Sequence, residues 1–540
     1  MATTELPPTT ESLPAKPGDA PGGPGRTSAR RTDWLVGAAA ATVALAIALI
    51  DLKIWNADLS VPFRLGGDAD FYLMVTTSML RHGWHLTNPD LGAPFGSTLY
   101  DLPQGADNLQ YLLIKIIGTI TGGDAARAVN LYFLATFPLA AAFAYAVLRS
   151  LCITRVPAAV FAVLYALLPY HFERGTTHLL LSGYYLVPVG IWLILRTLAD
   201  DAPFSRDGTW KPRFTKHSIL PIVACAAIAS TGAYYAMFTL VLLVPVALAD
   251  FAVRRRVRTL TAATVTAIFV GGVFLINVAP TVVYAIANGQ NTAVAQRTPQ
   301  ETELYGLRIT ELVVPRADHR IGPLGYFERQ ISEFPQRSEA GMPLGLIGAI
   351  GFLFLVALAV ILVLGSRHPK DRTLSTQLRQ LGTVNLIAVL LATIGGFSIA
   401  LSALGLRDIR SWNRISVLIG FVALAAVALL WDRVARPRLA APLAIALVLG
   451  IGAVGVFDQT SPADAPAYAT VAKTWNSDGQ FVRQVATAVP AGARIFQVPY
   501  VSFPETKPVA AAEAYDGARL SYHSDRLRWS FGAMTGRDVS

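Results

Sequence analysis

Long apolar runs separated by short polar turns dominate this chain. They lie at 34–55, 127–148, 156–171, 179–198, 217–231, 235–253, 260–284, 342–365, 383–404, 415–432 and 439–457. Each approaches the roughly 20 residues a helix needs to cross hydrocarbon, so the pattern predicts about eleven transmembrane helices. The seam near "STGAYYAMF" (230–238) decides the count. If 217–253 were one broken helix, everything downstream would reverse. Lys and Arg in short loops mark the cytoplasmic side. With the N-terminus inside, the inner loops are "RSLCITR", "RTLADDAPFSRDGTWKPRFTKH", "RRRVR", "SRHPKDRTLSTQLRQ" and "DRVARPR", and every one is basic. The outer segments are then 56–126, 172–178, "STGAYY", 285–341, "LRDIRSWNR" and the region from 458. This predicts a multi-pass protein of the plasma (inner) membrane, with its N-terminus cytoplasmic and its C-terminus extracytoplasmic.

Two outer loops, 56–126 and 285–341, are long enough to call for a functional role. In the first, "DADFYLMVTTSMLRHGWHL" places Phe71, Met74, Val75, Met79 and Leu80 at helical spacing. "DNLQYLLIKIIGTI" has one apolar face and is too short to span. Both read as helices lying in the interface plane, joined by the turn-rich "NPDLGAPFGSTLYDLP". Residues 1–33, rich in Pro, Gly, Thr and Ala, cannot bury a core and are expected to be disordered. The run from Trp34 to Trp55 is too long for a signal-peptide core and reads as a retained span. The region 458–540 has a soluble composition. "GQFVRQVATAVPAGARIFQVPYV" gives a helix, a turn and a strand, the start of a small α/β domain that reads as cut short. The expected organisation is therefore a cytoplasmic tail (1–33), a transmembrane domain (34–457) and a soluble extracytoplasmic region (458–540).

Composition agrees. The chain is 53% hydrophobic and 15% charged, with a mean hydropathy of +0.46, against about 25% charged in soluble domains. Its net charge of +10 would suit nucleic acid, but the basic residues sit beside apolar runs as topology signals, so no nucleic-acid partner is expected. Cys152 and Cys225 fall on the inner side and within a span, so they do not pair. No internal repeat is evident.

The first outer loop carries the candidate chemistry. Asp68 and Asp70 stand about a dozen residues beyond the first span. Two carboxylates two residues apart can share a hard divalent cation, Mg²⁺ or Mn²⁺. One can instead act as general base on an acceptor hydroxyl while the other tunes it. The structural alternative is a helix cap, which suits Asp70 ahead of "FYLMV". It suits Asp68 less, because "GG" before it implies close backbone approach.

An acidic motif, "GDAD", close after the first span, two interfacial helices, about eleven spans and an outer C-terminal part together resemble the GT-C superfamily of membrane glycosyltransferases. The resemblance covers residues 34 to about 457. It implies sugar transfer from a polyprenyl-phosphate carrier, by a hexosyl- or pentosyltransferase, to a glycan, lipid or protein acceptor of the cell envelope. It implies a catalytic Asp in the first outer loop, matching Asp68 or Asp70. The stretch "GDADFY…GWHLTNPDLGAPFG…YD" is also similar to a group of uncharacterised bacterial membrane proteins.

A phosphate leaving group needs cations. Three outer clusters offer them. "HFERGTTH" holds His171, Arg174 and His178, or is an ordinary hydrated turn. "VVPRADHR" holds Arg316, His319 and Arg320, or is solvated. "RDIRSWNR" holds Arg410, Trp412, Asn413 and Arg414, or is an aromatic belt with snorkelling arginines. Arg forks match phosphate oxygens and Trp faces match sugar C–H surfaces, which favours the third cluster. Tyr184, Tyr185, Tyr234 and Tyr235 read as interface anchors or bundle packing. Two other classes share these features: a lipid or glycolipid flippase or transporter, and a non-catalytic scaffold for cell-wall assembly. The scarcity of ionisable residues at mid-span counts against a coupled transporter.

Overall fold

Backbone groups in hydrocarbon have no water to bond, so each apolar run must pair them within its own helix. The computed structural model describes residues 24–103, 105–205, 209–294, 296–332, 339, 342–363 and 372–538. Among these, eight helices are long and apolar enough to cross a membrane: Arg30–Asp51, Ala125–Ser150, Arg155–Arg174, Leu179–Thr197, Ala233–Arg254, Val257–Asn288, Trp412–Arg438 and Ala441–Gln459. The chain is a multi-pass, mainly helical membrane protein. Two further expected spans are shorter apolar helices, Lys216–Ala229 and Gly345–Ile361.

The run expected at 383–404 is displaced. Its helix is Arg372–Ala392, and a turn at Gly395 (φ +74°) separates it from the short helix Ser398–Ala403. The cause is a polar segment laid against its end. The Leu307 amide donates to Ala392 O (2.8 Å), the Ile394 amide donates to Leu307 O (3.1 Å), and Glu303 accepts from the Gly395 amide (2.9 Å).

The expected disorder of residues 1–33 is corrected in part. Residues 1–23 lie outside the described residues, but a helix runs from Pro24 to Asp51. Proline tolerates the first helical position. Asp33 then pairs with Arg149 (3.1 Å) and Arg155 (2.8 Å), which gives the segment a polar anchor.

The loops sort into two ends. Those expected inside meet one another: Asp33 with Arg149 and Arg155, Leu151 O with Gln377 Nε2 (3.1 Å), Thr154 with Asp432, and Asp200 with Arg256 and Arg258 (both 2.6 Å). Those expected outside meet at the other end. The seam at 230–232 is a true helix break there. Helix Ile219–Ala229 stops and Ala233–Arg254 begins. Gly232 adopts φ +139°, which a side chain would strain. The first loop stitches the break: the Leu109 amide donates to Ser230 O (2.9 Å), and Asn108 bonds Asn277 (2.8 Å), which bonds Ser230 Oγ (2.9 Å).

Both expected first-loop helices form, Asp68–His82 and Asn108–Ile120. The second exposes Leu112, Ile116 and Ile120 along one stripe, as an interfacial helix does. The first is covered instead. The region after 458 docks on it: Arg81 donates to Ser521 O and Tyr522 O (both 3.0 Å), and Tyr522 Oη donates to Asp70 O (2.7 Å). The only sheet in that region, among the described residues, is a parallel pair, Arg494–Ile495 with Arg528–Trp529. It is extended by the first loop, where the Trp529 amide donates to Asp90 O and the Ala93 amide donates to Trp529 O (both 2.9 Å).

The join between helix Ala441–Gln459 and this docked region rests on a buried ion pair. Arg316 donates to Asp464 (2.5 Å) and Asp318 (2.8 Å), and the Arg316 and Asp464 side chains are 3% and 4% exposed. Removing one partner strands a buried charge. Arg316→Leu should cost about 3–5 kcal/mol, seen as a large fall in the melting temperature of the purified protein in detergent. An unchanged melting temperature would mean this pair does not hold the join.

Candidate functional site

The helix carrying the acidic motif starts at a glycine pair. Gly66 and Gly67 take φ +94° and +54°, so the chain turns sharply into Asp68–His82. The turn separates the two aspartates. Asp70 is fully buried, and its Oδ2 accepts from the Gly66 amide (3.1 Å). Burial raises its pKa to about 7. Asp68 faces the other way, into a cavity of ≈ 1350 Å³ counted with its open mouth. A shared metal or a paired base would need both carboxylates on one centre. That expectation is corrected: Asp70 is not in the cavity lining, and its contacts are those of a helix start. Among the described residues no three His, Cys, Asp or Glu side chains group as a metal site. The Asp68–Asp70 pair does not fit a divalent ion.

Five outer segments build the cavity. The first loop gives Asp68 and Asp107, the 172–178 turn His178, the helix break Tyr234, the second long loop Arg297, and the 407–414 turn Arg410 and Arg414. The docked C-terminal region adds Glu505 and Tyr515. His178 Nε2 lies 3.7 Å from Asp68 Oδ2, beyond a direct hydrogen bond. Burial, with Arg174 and Arg414 nearby, lowers the His178 pKa to about 3, so the imidazole is neutral and brings no charge to a phosphate. Asp68 keeps 45% of its side chain open to the cavity. Desolvation still raises its pKa, against the pull of Arg414 and Arg410.

The cavity arginines are all engaged by carboxylates. Arg410 bonds Glu301 (2.7 Å), Arg414 bonds Glu339 (2.8 Å) and Arg297 bonds Glu505 (2.5 Å). Arg414 also lies over the Tyr234 ring (4.5 Å) and Arg410 over Tyr305 (5.0 Å). Glu339 gathers more: Arg174 donates to it at 2.8 Å and Asn413 at 3.1 Å. Burial opposes its charge, yet Arg414 and Arg174 hold its carboxyl well below the usual range.

The expected phosphate holders thus divide. Arg410, Arg414 and His178 line the cavity. Arg174 and Asn413 stand behind Arg414, on Glu339. Trp412 is fully buried against Phe238 (5.6 Å), which corrects its expected role as a sugar platform. His171 is a satisfied core residue: it bonds Thr136 Oγ1 (2.7 Å) and Ala166 O (2.8 Å) and stacks on Phe137. His319 and Arg320 are spent at the join, on Asp458 (3.2 Å) and on Asp51 (2.9 Å), and do not line the cavity. Tyr234, expected as an anchor, is a cavity wall.

Residues 39–458 match the family described as Domain of unknown function (DUF6311). The chain belongs to this family. No curated protein matches it. Among solved structures it is similar to the oligosaccharyltransferase AglB of Archaeoglobus fulgidus in complex with an inhibitory peptide and a dolichol-phosphate, at 14% identity and TM-score 0.47, covering 94% of this chain and 65% of that one. A second structure of the Archaeoglobus fulgidus oligosaccharyltransferase, in complex with Zn and sulfate, is similar at 15% identity and TM-score 0.45, covering 92% and 62%. The arabinofuranosyltransferase AftD from Mycobacteria is similar at 17% identity and TM-score 0.46, covering 92% of this chain and 31% of that one. The DUF6311 chain therefore spans less than two thirds of each.

In this DUF6311 chain, sequence reasoning missed the three glutamates and Asp107 as site residues. A lone Glu in a long polar loop carries no local signal. Asp107 did carry one, because it precedes a helix of the same loop. Burial raises its pKa to about 8, against the bond from Gln110. Between about pH 4 and 8 the folded protein keeps a proton on Asp107 that the unfolded chain has released, so this group's contribution falls as pH rises across that window. Asp107→Asn should flatten the decline in melting temperature from pH 5 to 8. Parallel curves for wild type and variant would remove the linkage.

Proposed function

We propose that this protein is a GT-C-type glycosyltransferase that moves a sugar from a polyprenyl-phosphate donor to a cell-envelope acceptor on the outer face of the plasma membrane. One observation carries the reading. Segments far apart in sequence, all expected on one side of the membrane, bring a carboxylate and two arginines to a single cavity at the ends of the spanning helices. The arrangement suits a lipid-linked substrate, with the polyprenyl tail in the bilayer and the phosphate at the interface.

The step balances without a cofactor. Asp68 takes the proton of an acceptor hydroxyl, and the oxygen bonds the anomeric carbon. The bond from that carbon to the phosphate oxygen breaks, and polyprenyl phosphate leaves with the electron pair. A base works best with a pKa near the working pH, and desolvation moves Asp68 in that direction. Arg410 and Arg414 receive the leaving charge. Each has five N–H donors, enough to keep its glutamate and bind an anion. Glu339 fixes Arg414 in place, with Arg174 and Asn413 behind it. Neutral His178, 3.7 Å from Asp68, leaves that carboxylate's charge unneutralised.

The test is transfer by the purified chain in nanodiscs, supplied with polyprenyl-phosphate hexoses or pentoses and candidate glycan, lipid or protein acceptors. Asp68→Asn should lower turnover by 10²-fold or more, the usual contribution of a general base. Asp70→Asn keeps an oxygen to accept from the Gly66 amide and so should leave turnover unchanged. Glu339→Gln should weaken donor binding by loosening Arg414. Wild-type turnover by Asp68→Asn would sink the proposal. Movement of labelled lipid across the bilayer without transfer would replace it with a flippase.

A further inference from the structure

The cavity is electrically uneven. Asp68 feels two of its arginines, Arg414 and Arg410, together with the carboxylates of Glu505 and Glu339. Asp107 lines the same cavity, but the influences on it are burial and the Gln110 amide, with no cation among them. Tyr72 lies within electrostatic reach of both carboxylates, and Tyr111 within reach of Asp107.

Asp107 also stands where an aspartate ordinarily has a structural use. It occupies the N-cap position of helix Asn108–Ile120, yet its side chain makes no capping bond. Its Oδ1 instead accepts from Gln110 Nε2 (3.0 Å). That amide cannot turn. It is fully buried, its two N–H groups are shared among Asp107 Oδ1, Leu180 O (3.0 Å) and Thr231 O (2.5 Å), and its Oε1 accepts from Tyr132 Oη. Gly232 leaves the space, since a Cβ there would stand 3.0 Å from Asp107 Oδ1. The carboxyl is therefore held rigidly at the cavity wall by a network that the helix itself does not require.

A fixed carboxyl beside tyrosines, hydrogen-bonded to an amide and in no ion pair among the described residues, is poorly suited to phosphate and well suited to neutral hydroxyls. Such groups fix orientation in otherwise apolar pockets, and aromatic faces pack on sugar C–H surfaces. We infer that Asp107, positioned by Gln110, forms a subsite of this cavity that hydrogen-bonds the ring hydroxyls of a sugar. The inference rests on the transferase reading and assigns a sugar-recognising residue distinct from the base.

The experiment is equilibrium binding to the full chain in nanodiscs with three probes: polyprenyl phosphate without sugar, polyprenyl-phosphate hexose or pentose, and a soluble oligosaccharide acceptor. Asp107→Asn keeps the size of the side chain, Asp107→Ala removes its hydrogen bonds, and Gln110→Leu frees the carboxyl. Melting curves check folding of each. The expected result is a loss of about tenfold or more for a sugar-bearing probe, with sugarless polyprenyl phosphate bound as by wild type. Loss for the sugar-bearing lipid places the donor's sugar at Asp107, and loss for the oligosaccharide places the acceptor's there. Equal binding of all probes by wild type and Asp107→Ala would overturn the subsite alone. Equal loss for the sugarless lipid would overturn it too, as general distortion. A wild-type protein that binds no lipid probe would overturn the transferase reading and the subsite with it.

Discussion

One buried amide ties the cavity together. Gln110 reaches the first loop at Asp107, the 180s at Leu180 O, the helix break at Thr231 O and the helix Ala125–Ser150 at Tyr132. Hydrocarbon cannot satisfy irregular backbone, so a break at 230–232 is tolerated only where protein groups replace the missing helical bonds. The first loop supplies them, and in doing so it brings its own carboxylates against the ends of helices distant in sequence. The residues of that break line the cavity.

Charge follows the same logic. A guanidinium beside a low-dielectric bundle needs a partner, since an unpaired buried charge costs several kcal/mol. Three cavity arginines have glutamates from segments far away in the chain. These pairs fix where each guanidinium points and leave donors over. A site built this way holds its cations ready before any anion arrives, which is the condition for electrostatic stabilisation of a leaving group.

Much of this was legible in the residues and some was not. Most span positions, the run at 383–404 excepted, the break at "STGAYY" and the segregation of basic loops follow from hydropathy and charge, which act locally. The prominence of Asp68, Arg410 and Arg414 was legible because each lies beside a span end in a compact polar motif. Asp70 was ambiguous because spacing of two in a loop does not say which way a Gly-Gly turn will throw the second side chain. Trp412 looked like a platform only because an aromatic at a span end reads the same whether it faces in or out. Glu301, Glu339 and Glu505 were hidden, since their partners lie 109, 75 and 208 residues away. The covering of helix Asp68–His82 was equally hidden, because it depends on a region more than 430 residues later.

The docked C-terminal region then has a role beyond stability. Its contacts with Arg81 and Asp90 and the Tyr522 bond to Asp70 O hold the helix whose first residue is Asp68. Through Glu505 and Tyr515 it also forms part of the cavity wall, with Glu505 paired to Arg297 of the second long loop. The acidic helix is thus clamped between the membrane bundle beneath and this region above. Under the proposed mechanism Asp68 gains from such a clamp, because small displacements at a reacting group cost large factors in rate. Asp70, buried and without chemistry of its own, serves the same end by fixing the turn that aims Asp68.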